Sequence, residues 1–377
     1  MTARERESPA GVYLDWNATT PPRREVLDAM RAAAEEAWAN PASTHAAGRR
    51  ARVEVEQLRE ALAASLGVHP RDVVLTSGGT EANNLRLSNA AGIVTSRLEH
   101  PSVVRVAEAV AASGRIVRWV PVPASGRLEV DAVAELCREM PAQSWVAVQA
   151  ANHETGVLQP VAEIAEVVHR AGLCLHVDAV QAFGKIALDE LAGADSIAVA
   201  AHKIRGPKGI GALAFRKAAP TPLLIGGAQE RGLRAGTVDP VAAAGFRAAV
   251  QLCAPERWAE LAHARDDLED ALSAVSVQNG DEPRLPHVSN RSFAGWRGDE
   301  LVAALDLLGV RVSSGSACAA GTSEASPVIT AMLGPERALS AVRISLGDAT
   351  SREELERAKA ALFRALGSET RKPSSTT

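Results

Sequence analysis

Two residues one strand–helix unit apart have types that suit a single kind of chemistry. Asp178 ends the apolar run of LCLHVDAVQAFGK, and Lys203 follows the run of AVAAHKIRGPKG, 203 − 178 = 25 residues later. A lysine amine can form a Schiff base with a carbonyl, and a nearby acid can keep a ring nitrogen protonated; pyridoxal phosphate needs both. Taken singly, the lysine also reads as a solvated surface charge and the aspartate as a helix cap. The glycines and proline around Lys203 imply a tight turn that favours the first reading.

Four other stretches carry candidate chemistry. TSGGTEANN (76–84) follows a strand and opens a helix, so backbone N–H groups at Gly79 and Thr80 can hold an anion; it equally reads as a plain loop with Thr80 as cap. His100, in RLEHPSV, can stack on a flat ring and move protons near neutral pH, or it can cap a helix. Arg343, in AVRISLG, can clamp a carboxylate with two hydrogen bonds, or make a surface ion pair on an edge strand. Cys318 lies in VSSGSACAAGTS among small residues, on what reads as a flexible, polar loop. A thiolate there stays available to react, although an incidental surface thiol fits the same pattern.

The elements that must position these residues alternate along the chain. DVVLT (72–76), GIVTS (92–96), RIVRWVPV (115–122), WVAVQAA (145–151), LCLHVDAV (173–180) and SIAVAAH (196–202) are short apolar runs rich in Val and Ile. Helical patterns such as 101–112, 130–139 and 160–171 lie between them. Continuous apolar strands separated by helices imply a largely parallel sheet covered on both faces, and ligands of such sheets sit beyond the strands' carboxyl ends. Residues 16–255 read as one large α/β domain. LCAPERWAELAHARDDLEDAL then begins a second unit with one long helix. Strands in LPHVSNRSF and GVRVSS, a helix at 298–308, the strand AVRISLG and a helix at 351–366 complete a smaller α+β domain. Residues 1–15 are assigned with 256–366, and 367–377 reads as a disordered tail.

Composition narrows the classes. Of 377 residues, 46% are hydrophobic and only 3% aromatic, so a sizeable core is packed mainly with aliphatic side chains. A net charge of -4 with both signs interspersed gives no basic patch for direct nucleic-acid binding and no polybasic membrane anchor. Four cysteines, with no CxxC and no His at metal spacing, argue against a disulfide framework or a metal site and suit a reducing compartment. The start, MTARERESPAG, shows no secretory pattern, and no apolar run approaches the roughly 20 residues of a membrane span. The expectation is a cytoplasmic protein.

Taken together, YLDWNATTPP, TSGGTEANN, HVDAVQAFGK, AHKIRGPKGIGAL, GGAQERGLRAGT, SSGSAC and RISLG resemble, in order and spacing, the cysteine desulfurases. These are fold-type I pyridoxal-phosphate enzymes of the class V aminotransferase group. The resemblance runs from residue 13 to about residue 355. It implies an α/β fold-type I transferase: a large domain with a mostly parallel seven-stranded sheet and a smaller α+β C-terminal domain. It implies that Lys203 holds the cofactor and shuttles the substrate's α-proton, Asp178 pairs with its ring nitrogen, Gln181 bonds its ring hydroxyl and His100 stacks on it. Gly79, Thr80 and His202 would meet the phosphate, and Thr237 would reach the phosphate of the other subunit of a homodimer. Arg343 would bind the substrate carboxylate, Asn40 lies in a family loop near the substrate, and Cys318 would be the nucleophile that takes sulfur from L-cysteine. His100 would be its neighbouring base. A sulfur-acceptor protein is implied too, with an iron–sulfur scaffold, a thiolation protein and a dedicated biosynthetic partner all open.

Three positions depart from the family. His153, in NHETG, stands where an asparagine contacts cofactor and substrate; Ala200, in AAHK, replaces a serine; and Trp16, in LDWNATT, replaces a small polar residue. These keep open a related lyase acting on selenocysteine or another cysteine derivative, or a class V aminotransferase. A sulfur-trafficking scaffold with a decayed site is the reading from a different class. Retention of Lys203, Asp178, Gln181, His100, Arg343 and Cys318 together argues against it.

Overall fold

The computed structural model describes residues 11–315 and 325–367. Among them, twelve strands run in chain order: β1 (Val12–Tyr13), β2 (Val73–Thr76), β3 (Gly92–Ser96), β4 (Ile116–Val120), β5 (Trp145–Gln149), β6 (Cys174–Asp178), β7 (Ser196–Ala200), β8 (Gly211–Phe215), β9 (Val277–Gln278), β10 (Val288–Ser292), β11 (Val310–Arg311) and β12 (Ala341–Ser345). Seven form one sheet in the order β2-β8-β7-β6-β5-β3-β4. Only β8 runs against its two neighbours; β7–β6, β6–β5, β5–β3 and β3–β4 pair in parallel. The expected α/β architecture, with its mostly parallel seven-stranded sheet, is what the chain forms. The strand β8, which overlaps the end of AHKIRGPKGIGAL, carries no separate strand signal because GALAF is a short run with three small residues.

The apolar runs read as they do because both sheet faces are covered. Every residue of β2, β3, β5, β7 and β8 is buried, whereas β4, at the edge, exposes Ile116. Helix boundaries follow local signals. Pro101 starts the Pro101–Ala112 helix behind an His100 cap, and Gly67 ends the Ala46–Leu66 helix at φ 62°, a left-handed conformation that glycine adopts without strain. Ser351 and Glu354 close a reciprocal capping box on the Arg352–Ala365 helix. The long helix expected after residue 252 is instead two, Pro255–Ala259 and Leu261–Leu272, and helix Gly79–Leu87 is capped by Gly78 rather than Thr80.

The later strands make a three-stranded antiparallel sheet, β12-β10-β9, and β1 pairs in parallel with β11. Val12 and Leu14 pack with Leu268, Phe293, Val342 and Leu362 in a core separate from that of the large sheet. No helix among the described residues is long and apolar enough to cross a membrane. The tail reading falls, from residue 368 on, outside the described residues, as does Cys318.

Candidate active site

The parallel strands end on one edge of the sheet, and the candidate residues gather there. Asp178 is the last residue of β6, Gln149 the last of β5, and Lys203 closes the short turn Ala201–Lys203 directly after β7. Gly79 and Thr80 open the helix after β2, and His100 follows β3. Together with Gln181, His202, His153 and Arg343 they line one cavity of about 280 Å³. Gly79 has to be glycine: a Cβ there would stand 2.5 Å from Val180 Cγ2.

One wall is a closed hydrogen-bonded network. Asp178 accepts from Asn83 Nδ2 at 2.7 Å and from the Val180 amide at 3.0 Å. Asn83 also donates to Ser102 Oγ at 2.8 Å, and Ser102 Oγ lies 2.8 Å from His100 Nδ1. Gln181 donates to the Asn17 carbonyl at 2.9 Å and accepts from the buried Lys185 Nζ at 3.1 Å. Lys203 Nζ donates to the carbonyls of Asn17 and Ala18, the latter at 3.0 Å.

The second wall comes from the turn after β5 and from β12. Asn152 Oδ1 accepts the amides of Glu154 and Thr155 at 2.8 Å each, and this closed turn places His153 against the cavity. His153 is 7% exposed, meets the His100 ring edge-on at 5.3 Å, and has no hydrogen-bond partner for either ring nitrogen. Arg343 donates through one terminal nitrogen to the His153 carbonyl at 3.0 Å and through the other to Asp15 at 2.7 Å; its Nε is buried without a partner. Glu99 is buried with neither carboxyl oxygen in a well-formed hydrogen bond, and Glu154 has one oxygen without a partner.

Burial sets the electrostatics. It pushes the His153 imidazole well below the usual histidine range, with the charges of His100, Arg343 and Lys203 adding to the effect. Burial and the neighbouring lysines bring His202 down to about 3. His100 is lowered by burial and by Lys203, against an opposing pull from Asp178. All three rings are therefore neutral near pH 7. Burial, reinforced by the charge of Asp178, pushes the Glu99 carboxyl well up. Lys185 is held well below the ordinary lysine range by burial and by Lys203.

A flat cofactor of the pyridoxal-phosphate type fits this donor set. The cavity offers an amine, a carboxylate, the amide-rich start of a helix, and buried polar atoms at His153 and Arg343 that lack partners. Two expected residues stand elsewhere. Asn40 is exposed and uses its side chain to close a turn on the Ala42 amide, so it does not line this chain's cavity; Thr237 is likewise exposed and outside it. Ala200 is buried in β7 and does not line the cavity. Trp16 is buried too: its ring lies on Gly347 and meets Trp258 edge-on at 6.4 Å, so it stacks inside the protein rather than narrowing the cavity.

Residue-by-residue reading missed Asn83, Ser102 and Asn17. All three were visible inside quoted motifs. Asn83 lies four residues after Gly79, which puts both on one helix face, Ser102 lies in RLEHPSV and Asn17 in LDWNATT.

Residues 12–358 match the family model for aminotransferase class-V. The chain is 36% identical over 363 residues to the cysteine desulfurase IscS of Dictyoglomus turgidum, covering 91% of each. It is 37% identical to the putative cysteine desulfurase IscS 1 of Bacillus subtilis, over 92% of this chain and 96% of that one. Among solved structures, a NifS-like protein superposes with a TM-score of 0.85 at 31% identity, over 95% of this chain and 99% of its own. A NifS-like protein from Rickettsia africae does so with a TM-score of 0.85 at 28% identity, over 95% and 99%.

Proposed function

This chain belongs to the aminotransferase class-V family, and from that premise we infer how its cavity works. The activity is that of a pyridoxal-phosphate-dependent cysteine desulfurase, which converts L-cysteine to L-alanine and passes the sulfur on. The observation that supports the assignment of roles is the meeting of Lys203, Asp178, Gln181, His100 and Arg343 at one cavity.

Bound pyridoxal phosphate supplies an electron sink that loosens bonds at Cα and Cβ of an amino acid. Lys203 would hold it through Nζ, Asp178 would keep its ring nitrogen protonated, and Gln181 would bond its ring hydroxyl. His100 and His153 would face the ring, and Gly79, Thr80 and His202 would hold the phosphate. Arg343 takes the substrate carboxylate; its terminal nitrogens are already fixed by Asp15 and the His153 carbonyl, so the guanidinium plane is set before substrate arrives. The Lys203 amine, once free, carries the proton that leaves Cα. Cys318 attacks as thiolate: a sulfur–sulfur bond forms as the substrate's Cβ–S bond breaks, the electron pair stays with carbon, and a proton completes the methyl group of alanine. A thiol with a pKa of about 8.5 is ionised in a minority of molecules at neutral pH, so the environment of Cys318 sets the rate of this step.

The persulfide on Cys318 then passes sulfur to an acceptor protein, an iron–sulfur scaffold or a thiolation protein, in the cytoplasm. The chain works as a homodimer, with the exposed Thr237 available to the partner's phosphate site and Asn40 reaching substrate only from outside its own chain's cavity. The division we propose keeps 16–255 as the large domain and 1–15 with 256–366 as the small one, of which 1–10 and 316–324 lie outside the described residues.

The test is direct. Purified protein should be yellow, borohydride should fix the cofactor mass onto Lys203, and L-cysteine with a thiol reductant should yield alanine and sulfide in equal amounts. Colourless protein that makes no alanine from cysteine or selenocysteine would end this reading.

A further inference from the structure

Asn83 lies one turn into the Gly79–Leu87 helix and is 1% exposed. Its Nδ2 has two hydrogens, and both are used, on Asp178 Oδ2 at 2.7 Å and on Ser102 Oγ at 2.8 Å. Its Oδ1 lies 2.9 Å from His176 Nε2, and His176 Nδ1 lies 2.8 Å from Ser196 Oγ. Asp178 settles which way the amide points, because only a donor can face a carboxylate whose other oxygen already accepts the Val180 amide. Ser102 Oγ accepts from Asn83, and because His100 Nδ1 already accepts a backbone amide, the Ser102 hydroxyl hydrogen is the one that lies between Oγ and Nδ1, 2.8 Å apart. The same ring nitrogen accepts the Ser102 amide at 3.1 Å, as the cap of the Pro101–Ala112 helix. Two donors on Nδ1 leave the one hydrogen of a neutral imidazole on Nε2.

We propose that Asn83 is a positioning residue that, through Ser102, fixes His100 as the tautomer with hydrogen on Nε2 and ties that tautomer to Asp178. His100 then gives a hydrogen bond from Nε2. A base role would require a lone pair at Nε2, which this tautomer lacks. Among the described residues, groups that face His100 include Asp178, Lys203, the His153 ring and the helix start behind it. Of these, Lys203 and the helix start oppose a second proton on the ring. The link to Asp178 rests on the cofactor reading above; the tautomer is a property of the chain itself.

The experiment is nitrogen NMR of the holoenzyme labelled in its nine histidines, with His100→Gln identifying the signal. At pH 7 the His100 ring should show hydrogen on Nε2 and none on Nδ1. Asn83→Ala and Ser102→Ala should each populate both tautomers. Asn83→Ala should also move the pH midpoint of the cofactor's absorbance band by about half to one unit, since Asp178 loses a donor. A wild-type ring carrying hydrogen on Nδ1 overturns the proposal. So does a folded Asn83→Ala protein with unchanged ring signals and band midpoint. Should Asn83→Ala fail to fold, an unchanged ring in Ser102→Ala overturns it equally. Colourless protein would count against the cofactor reading and leave the ring signals to decide this one.

Discussion

The two walls of the cavity differ in how completely they satisfy themselves. On the sheet side, Asp178, Asn83, Ser102, His100 and His176 form a network in which each named polar contact falls between 2.7 and 3.1 Å. On the side built from the turn after β5 and from β12, both nitrogens of His153, the Arg343 Nε and one Glu154 oxygen are buried without hydrogen bonds, His153 Nε2 and that Glu154 oxygen standing 3.7 Å apart. A buried polar group left unpaired costs about 1–3 kcal/mol. The closed wall is a scaffold that holds its geometry with or without a ligand. The open wall holds unmet hydrogen-bonding capacity, which is where ligand groups gain most.

That contrast is breakable, and the largest effect lies between the walls. Lys203→Ala should remove essentially all alanine formation, and borohydride should no longer fix cofactor mass to the chain; turnover near the wild-type level would show that another amine does the work. Next comes Arg343→Lys, which keeps the charge but loses the planar fork that Asp15 and the His153 carbonyl hold. A drop in kcat/KM for cysteine of about a hundredfold, about 2.7 kcal/mol, is expected, with the cofactor band retained. An unchanged kcat/KM would remove Arg343 from the substrate.

Acid sharpens the same contrast at the level of stability. His100, His153, His176, His202 and His287 all have folded-state values below the unfolded one, while Glu99 and Glu154 lie above theirs. A depressed histidine takes its proton in the unfolded chain first, so its contribution is lost as pH falls below about 6.5. For His176, brought down to about 3 by burial, the loss is roughly 1.4 kcal/mol per pH unit below 6.5. The two carboxyls act in the opposite direction, and five groups outweigh two. Denaturant unfolding of the cofactor-free protein should therefore show falling stability from pH 7 to pH 5. A flat or rising profile would mean that the histidines are not held neutral.

The smallest effect tests the open wall alone. His153→Leu removes two unpaired buried nitrogens, so the cofactor-free protein should gain about 1 kcal/mol while cofactor affinity falls by about tenfold. Loss of both, or gain of both, by melting and by equilibrium titration would contradict an unmet ligand site at His153.

Much of this was legible in the residues. The strand run at 92–96 and the helical pattern at 101–112 coincide with β3 and the Pro101–Ala112 helix, because covered parallel strands and a His-Pro helix start leave local marks. The long helix expected in LCAPERWAELAHARDDLEDAL is split in two, and the split was not legible, since the break at Glu260 keeps helical dihedrals and has no Gly or Pro to announce it. His100 reads from sequence either as a cap or as a site residue; in the fold it is both, and the capping bond to Ser102 is what orients it. Asn40 illustrates the limit: its motif suggested the site, but its side chain is spent on a local turn at the surface.

The order of motifs, with Lys203 and Asp178 each at the end of an apolar strand, determined the fold class and the kind of cofactor chemistry, because strand periodicity and side-chain type are local properties of a chain. Which polar atoms were satisfied and which were left open was decided only by the packing of β12 and the Asn152–Glu154 turn against the sheet edge. Hydrogen bonds between Asn83 and Asp178, 95 positions apart, or between Arg343 and Asp15, 328 apart, depend on distances that no stretch of sequence contains.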